Sequence, residues 1–415
     1  MEDILNEKQI VVIGGGPAGM MAALTAARQG AAVTLIDRNR TLGRKLRITG
    51  KGRCNVTNDC APAEVLQNIP RNSRFLYSAL SQLTPADVKE FFQDLGVPLK
   101  TERGNRVFPV SDRADDIADA LVHALHREQV KTITGRALAI LTKDGAVSGV
   151  KLESGARLEA QAVILCTGGL SYPATGSSGD GYRMAQALGH TVESPRGSLV
   201  PLEAEECCKE LQGLSLRNIA IQVRDSRGKC LYQDFGELLF THFGLSGPVI
   251  LSASAHMRDF SRETYTVEID LKPALDEKTL DARLLRDFQE NANREFQNSL
   301  GGLLPKKLIP EAIRRSGIPP ETKVHDLTRE QRRSLLQVLK HFTVRVIGPR
   351  PVRDAIVTSG GVRVTEVNPS TMASKLLSGL YFAGELLDLD GYTGGFNLQI
   401  AWSTGYAAGC WAAWD

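Results

Sequence analysis

Runs of apolar residues give this chain two textures. Residues 10–13 (IVVI), 32–36 (AVTLI), 160–167 (AQAVILCT) and 380–383 (LYFA) are apolar almost without interruption, the pattern of strands covered on both faces, as in a parallel sheet. Glycines at 14, 16 and 19 follow the first run, then an alanine-rich helical stretch to Gln29 that Gly30 stops. Elsewhere the pattern alternates. Residues 130–134, 137–142 and 147–152, with a Lys-Asp-Gly turn at 143–145, predict a small β-meander ending in the 160–167 run. Amphipathic helices are predicted at 84–95, capped by Thr84 and Pro85, and at 112–128, with Asp112 as N-cap. Residues 182–188 and 397–413 also read as helices. Residues 38–58 show little periodicity and read as a polar, glycine-punctuated loop.

From about Pro195 the texture changes. Short alternating runs at 196–272 predict an antiparallel β subdomain, and 275–342 is helical and polar. Apolar strand character returns at 355–362 and 380–383. The expected architecture is α/β: a discontinuous Rossmann-like domain over 1–195 and 353–415, an inserted antiparallel β subdomain over 196–272 and 341–352, and a helical insertion over 273–340.

Composition narrows the classes. Hydrophobic content of 42% and charged content of 23% are those of a globular enzyme. A net charge of +3 implies no whole-molecule field towards nucleic acid or membrane. Residues 272–350 nevertheless carry 16 Lys/Arg against 10 Asp/Glu, a mildly basic cap or simply a solvated face. The N-terminus, MEDILNEKQ, has no basic and apolar signal pattern. No membrane span is expected, because a glycine turn and Pro17 interrupt the longest apolar stretch. The seven cysteines form no metal-like spacing, and reduced thiols in a cytoplasmic protein are the expectation.

Strand, glycine turn, helix, strand and a terminal Asp37 is the order of a dinucleotide-binding βαβ unit. Gly14 is expected to permit the turn, Gly16 to admit the backbone to a pyrophosphate beside Pro17 and Ala18, and Gly19 to bring helix against strand. Asp37 is expected at the ribose, with Arg38 following it. In the 38–58 loop, Gly50 and Gly52 can bring backbone against a flat ring, and Lys45, Lys51 and Arg53 can meet phosphate or a reduced, anionic ring. Thr167, Gly168 and Gly169 return the chain to the same ligand. No later segment repeats the βαβ pattern, so a second dinucleotide domain is not expected. Gly384-Glu385 ends a strand with a carboxylate suited to sugar-chain hydroxyls. Gly394-Gly395-Phe396-Asn397 then opens a helix whose free N–H groups favour negative charge. A nicotinamide dehydrogenase has no need of that second helix terminus, so the two ends together select FAD.

The segments VVIGGGPAGMMAA, GRKLRITGKGRCNVTN, THFGLSGP, VTSGGV and YFAGELLDLDGYTGGFNLQIAWSTG closely resemble the BaiN/RdsA family of bacterial FAD proteins. That family lies among the two-dinucleotide-binding-domain flavoproteins of the glutathione reductase/fumarate reductase class. The resemblance implies an FAD domain interrupted by a β subdomain with a helical insertion. It also implies NAD(P)H-linked reduction of a C=C bond, in the uracil ring of ribosomal RNA or in an unsaturated 3-oxo steroid. Such chemistry needs a hydride donor, a group polarising the conjugated carbonyl, and an acid for the α carbon. Cys54 and His242 are candidates, each with a bland alternative as a packing or hydrogen-bonded core residue. Arg53 and Tyr172 are weaker ones, and Tyr392 reads as packing. Three other readings compete: an FAD oxidase of a small amine, an RNA-binding flavoprotein without turnover that lands RNA on 272–350, and a disulfide reductase. The five residues between Cys54 and Cys60 disfavour the last.

Overall fold

The computed structural model describes residues 7–205, 207–257 and 259–415. The first six residues of the acidic N-terminal segment lie outside them. The chain divides into two compact units, one made of residues 1–198 and 351–415, the other of Leu199–Arg350.

The first unit is built on a parallel five-stranded sheet, ordered Leu380–Phe382, Ala162–Leu165, β1 (Gln9–Ile13), β2 (Ala32–Asp37), Lys131–Thr134. In the middle of it β1 is clamped on both sides, with Ile10 opposite both Ala162 and Val33. Val12, Leu35, Ile164, Leu165 and Phe382 are sealed from solvent, which is why these runs carry no polar alternation. Helix α1 (Pro17–Arg28) and the C-terminal helix Phe396–Trp414 pack beside each other. The apolar stripe of Ala114–Arg127, with Ile117, Leu121 and Leu125, joins the same core.

Three expectations are corrected here. Lys131–Thr134 is not part of the meander but the edge strand of the parallel sheet, Leu35 lying opposite Thr132. Its side chains are mostly exposed, so the local pattern does not tell a parallel-sheet edge from a meander strand. The meander itself is Ala137–Lys143, Ala146–Leu152 and Arg157–Glu159. The helix expected from Asp112 begins at Ala114. Asp112 sits at φ +58° and gives its carboxylate to Arg53 and Lys100 rather than to a helix end. The loop after Asp37 contains a helical segment, Arg44–Gly52, broken at Thr49, Gly50 and Lys51. Those three residues leave helical backbone angles, Gly50 and Lys51 at positive φ.

In the second unit, six strands close a barrel in the order Leu202–Ala204, Gly244–Ser246, Cys230–Thr241, Ser215–Arg224, Tyr265–Asp270, Phe342–Pro349. Its interior side chains, among them Ile221, Phe240, Val267 and Phe342, share one apolar cluster with Leu280, Leu284, Leu335 and Leu339 of helices Glu277–Glu290 and Arg329–Lys340. Several basic residues of this segment are fastened. Arg314 and Arg315 both bind the buried carboxylate of Glu311. Arg315 also donates to Thr343 O at 2.5 Å and lies 4.0 Å over the Phe342 ring. Lys307 donates to Gln212 O.

Candidate functional site

The glycine turn after β1 is built by contact. At Gly14, φ is +108° and an added Cβ would fall 2.4 Å from Cys166 O; at Gly19 it would fall 1.8 Å from Gly14 O. Side chains are thus excluded at both. Gly16 differs, because a Cβ there meets nothing within 4 Å. It opens onto free space at the start of α1, whose N-terminus has no side-chain cap and carries Pro17 in its first turn. Asp37 braces this turn, accepting from Gly15 N at 2.7 Å through one oxygen and from Asn39 N at 2.7 Å through the other.

A second uncapped N-terminus belongs to the C-terminal helix. Gly405 fits against Ala18 O and Gly409 against Ala22 O, an added Cβ at either falling 2.4 Å away. Equal steps of four along both helices mean that they run parallel and nearly touching. Phe396 lies nine residues before Gly405, and Ala18 one after Pro17. The C-terminal helix therefore begins about 12 Å ahead of α1 along the shared direction, at 1.5 Å per residue. Two like-directed dipoles present their positive ends in series, neither quenched by a side chain.

The turn before that second helix is held by the 53–58 loop. Asn58 Nδ2 donates to Gly394 O at 3.0 Å, and a Cβ at Gly395 would strike Thr57 O at 2.4 Å. Thr57 Oγ1 donates to Gln399 Oε1 at 2.6 Å, and Trp402 Nε1 to Val56 O at 2.9 Å. The Asn397 side chain closes its own turn, donating to Gly391 O and accepting from Gly391 N. Its backbone N–H, with that of Phe396, is left at the helix start. Next to Gly384 lies a polar knot. Glu385 accepts from Lys45 Nζ at 2.6 Å, Ser171 Oγ at 2.9 Å and Thr358 N at 2.8 Å. Lys45 also donates to Ser171 Oγ at 2.8 Å, and Thr358 Oγ1 accepts from the backbones of Leu170 and Ser171. Gly384 packs against Ala18, where a Cβ would lie 2.8 Å from the alanine methyl, and Gly169 against Thr358 and Glu385. Ser171, Thr358, Asn58 and Thr57 carry this arrangement, and sequence reading named none of their side chains.

Other expected residues are placed differently. Arg38 is ion-paired with Asp180, which Arg136 and Arg183 also bind. Arg53 is not a poised donor. It spans Glu102 at 2.5 Å and Asp112 at 2.6 Å and stacks 4.2 Å over Phe108. Cys54 is fully buried, and burial pushes its thiol up to about 12, so it neither meets solvent nor gives up its proton easily. Cys60 is likewise pushed up, to about 11, by burial and by Glu64 and Asp59. Gly50 (φ +57°) abuts Asn55 N, while Gly52 (φ +83°) faces open space. Thr167 Oγ1 lies under Gly181 and, like Asn55 Oδ1, is buried without a hydrogen-bond partner; Gly168 follows at φ +71°. Tyr172 sits at φ +52° with Lys45 Nζ 5.8 Å from its ring centre. His242 belongs to the other unit, on the exposed turn between Cys230–Thr241 and Gly244–Ser246, edge-on to Phe243.

These residues fit a long, anionic, hydroxyl-bearing dinucleotide. Open space at Gly16, two unquenched helix ends in series and unpartnered buried oxygens at Asn55 and Thr167 are what such a ligand would occupy and satisfy. Among the described residues no helix is long and apolar enough to cross a membrane, and no cluster of His, Cys, Asp and Glu could hold a metal ion.

Comparison with known proteins agrees with this geometry. The HI0933-like protein Rossmann domain matches residues 8–411. A 3-dehydro-bile acid delta(4,6)-reductase of Clostridium scindens is 33% identical over 98% of this chain and 99% of its own length. A ribosomal RNA dihydrouridine synthase of Haemophilus influenzae is 32% identical over 96% of each. The 3-ketosteroid delta1-dehydrogenase of Sterolibacterium denitrificans shares the fold, with a TM-score of 0.52 at 13% identity over 98% of this chain and 99% of that one. The chain belongs to the HI0933-like family of flavoprotein oxidoreductases, on a Rossmann-type FAD-binding fold.

Proposed function

We propose that this protein is an FAD-dependent reductase that draws on NAD(P)H and saturates an activated C=C bond. One observation carries the reading: the uncapped start of the C-terminal helix, held by the 53–58 loop about 12 Å ahead of the uncapped start of α1. Gly14, Gly16, Pro17, Ala18 and Gly19 would take the pyrophosphate, and Asp37 the adenosine ribose. Lys45, Glu385 and Gly384 would take the ribityl chain, with Thr167, Gly168 and Gly169 alongside. Gly394, Gly395, Phe396 and Asn397 would lie at the ring. When bound, FAD supplies the hydride carrier. The helix start favours negative charge on the reduced ring, which lowers the cost of holding two electrons there. Relatives whose names describe a C=C reductase and a dihydrouridine synthase match nearly the whole chain, which supports the choice of acceptor.

Of the four residues considered for this chemistry, Cys54 is sealed, Arg53 is committed to carboxylates and His242 belongs to the other unit. We therefore assign the acid to Tyr172, which stands on the first unit with Lys45 Nζ 5.8 Å from its ring centre. The first test is anaerobic. NADPH, then NADH, is added to the yellow protein while flavin absorbance is followed, and the reduced enzyme is mixed with a conjugated enone or a uridine-containing RNA. Bleaching by a nicotinamide and recovery by the unsaturated acceptor are expected. No bleaching, with reduction by an amine and reoxidation by air, would replace this reading with the oxidase. Tyr172→Phe should slow acceptor reduction about a hundredfold, as loss of a general acid does, and leave bleaching by NAD(P)H unchanged. Equal effects on both half-reactions would remove Tyr172 as the acid.

A further inference from the structure

We infer that a surface pocket lined by Leu66, Gln67, Ser73, Arg74 and Tyr77 binds one nucleotide of a single-stranded RNA. The depression is open to solvent and has a volume of about 470 Å³. Tyr77 is 71% exposed, more than any other large apolar or aromatic side chain described. An aromatic ring this open costs apolar hydration and gains no packing, whereas a base stacked on it recovers both. Gln67, Ser73, Arg74 and Tyr77 make no side-chain hydrogen bond or ion pair among the described residues. Four uncommitted polar groups beside one apolar wall are a recognition set: a ring for the base face, an amide for its edge, a guanidinium and a hydroxyl for phosphate.

Charge selects the partner. Residues 66–77 contain Arg71 and Arg74 and no acid. Arg71 is spent on Asp388 at 3.0 Å, but Arg74 is exposed and among the described residues makes no ion pair, so the pocket favours a phosphate-bearing occupant. The open ring leaves room for a strand to enter and leave, which a free mononucleotide does not require. The basic helical segment is a poorer platform, because Arg314 and Arg315 are held by Glu311.

Position links the pocket to the flavin-end turn. Asn68 O accepts from Tyr392 N at 2.9 Å, Ile69 packs on Gly391, and Asn72 Nδ2 donates to Asp388 O at 2.8 Å. The pocket wall and the turn leading into Gly394-Gly395 are thus one hydrogen-bonded piece. A nucleotide held there would flank a base presented at the ring. This purpose rests on the reductase reading; the binding itself does not.

The test uses the full-length holoprotein and a fluorescein-labelled, unstructured A/U oligoribonucleotide, with anisotropy read at several salt concentrations. Tyr77→Ala should weaken binding about tenfold, within the range for one base–aromatic stack, and Tyr77→Phe should bind as the wild type does. Arg74→Glu should weaken binding and flatten the salt dependence by about one unit of slope. Both side chains are exposed, so melting temperatures should not move. Anaerobic bleaching by NADPH should also be unchanged in all three variants. No RNA binding by the wild type, equal binding by all variants, or an effect on NADPH bleaching alone would overturn the inference. If bleaching fails while RNA binding still depends on Tyr77, the reductase reading falls and the RNA pocket stands.

Discussion

At the residue scale, Glu385 shows how little of a site one sequence displays. Its place after a strand-ending glycine marked it, and Lys45 was marked by its loop. Two further residues that hold Glu385, Ser171 through its hydroxyl and Thr358 through its backbone N–H, were not singled out by any sequence pattern. Thr358 Oγ1 accepts from Leu170 N at 2.7 Å across 188 residues, a pairing no local pattern encodes. Thr358→Val keeps the shape and removes that acceptor, leaving two backbone donors unpaired. The expected loss is about 1–3 kcal/mol of stability, together with weaker FAD retention, read by denaturant melts and by flavin release on dilution. Unchanged retention would make Thr358 a packing residue only. Cys54 gives the converse lesson. A thiol in a polar, arginine-rich loop reads as reactive, yet its backbone turns at φ +57° and puts the sulfur inside. Burial is a property of the fold and cannot be read from neighbours in sequence.

His190 supplies a second test at the same scale. Its ring is buried, bonded to Ser374 Oγ at 2.8 Å and facing Glu366 at 3.4 Å. Burial holds its pKa below the ordinary 6.5, opposed by Glu366. Glu366 lies below the ordinary 4.5: burial pushes it up, but hydrogen bonds from Thr191 and the charges of His190 and Arg363 outweigh that. Both shifts have one sign. The unfolded chain takes up protons first, so stability falls as pH drops below 6.5 and falls further below 4.5. Unfolding free energies measured from pH 7.5 to 5 should slope downward in the wild type and more gently in His190→Gln. An identical slope would show that other groups govern the acid limb.

At the element scale the βαβ unit was legible because each of its parts is local. The strands are solid apolar runs, the turn needs glycine, and the acid closes β2. The partnership of α1 with the C-terminal helix was not read, although Gly405 and Gly409, four apart in a small-residue helix, were its signal. A helix this apolar all round gives no stripe to say which side meets what; here the missing side chains do. Gly405→Ala would set a methyl 2.4 Å from Ala18 O, backbone that cannot rotate away. Overpacking of this kind costs about 1–3 kcal/mol. It should also displace the second helix start from the first, so flavin content should fall with stability. Wild-type flavin content in Gly405→Ala would disconnect helix spacing from cofactor binding. The edge strand Lys131–Thr134 failed for a related reason, because its local pattern does not report the direction of the neighbour.

At the scale of the whole molecule the chain holds two separate apolar cores, one around β1, α1 and the C-terminal helix, the other inside the barrel and its helices. Sequence texture located the antiparallel segment but not its closure, since closing a barrel depends on which strands meet, as Leu202–Ala204 does with Phe342–Pro349. Two cores make a single cooperative transition unnecessary. The groups assigned to FAD all lie on the first unit, so ligand linkage should act there. Apoprotein should therefore melt in two calorimetric steps, and added FAD should raise one of them. At a hundredfold excess over the dissociation constant the gain is about 2.7 kcal/mol, while the other step stays fixed. Gly405→Ala should lower the FAD-sensitive step alone. Arg315→Glu, which breaks the contacts to Glu311, Thr343 and Phe342, should lower only the insensitive one. If FAD moves both steps equally, the assignment of its site to the first unit's residues alone fails, and an apoprotein that melts in one step would overturn the two-step expectation.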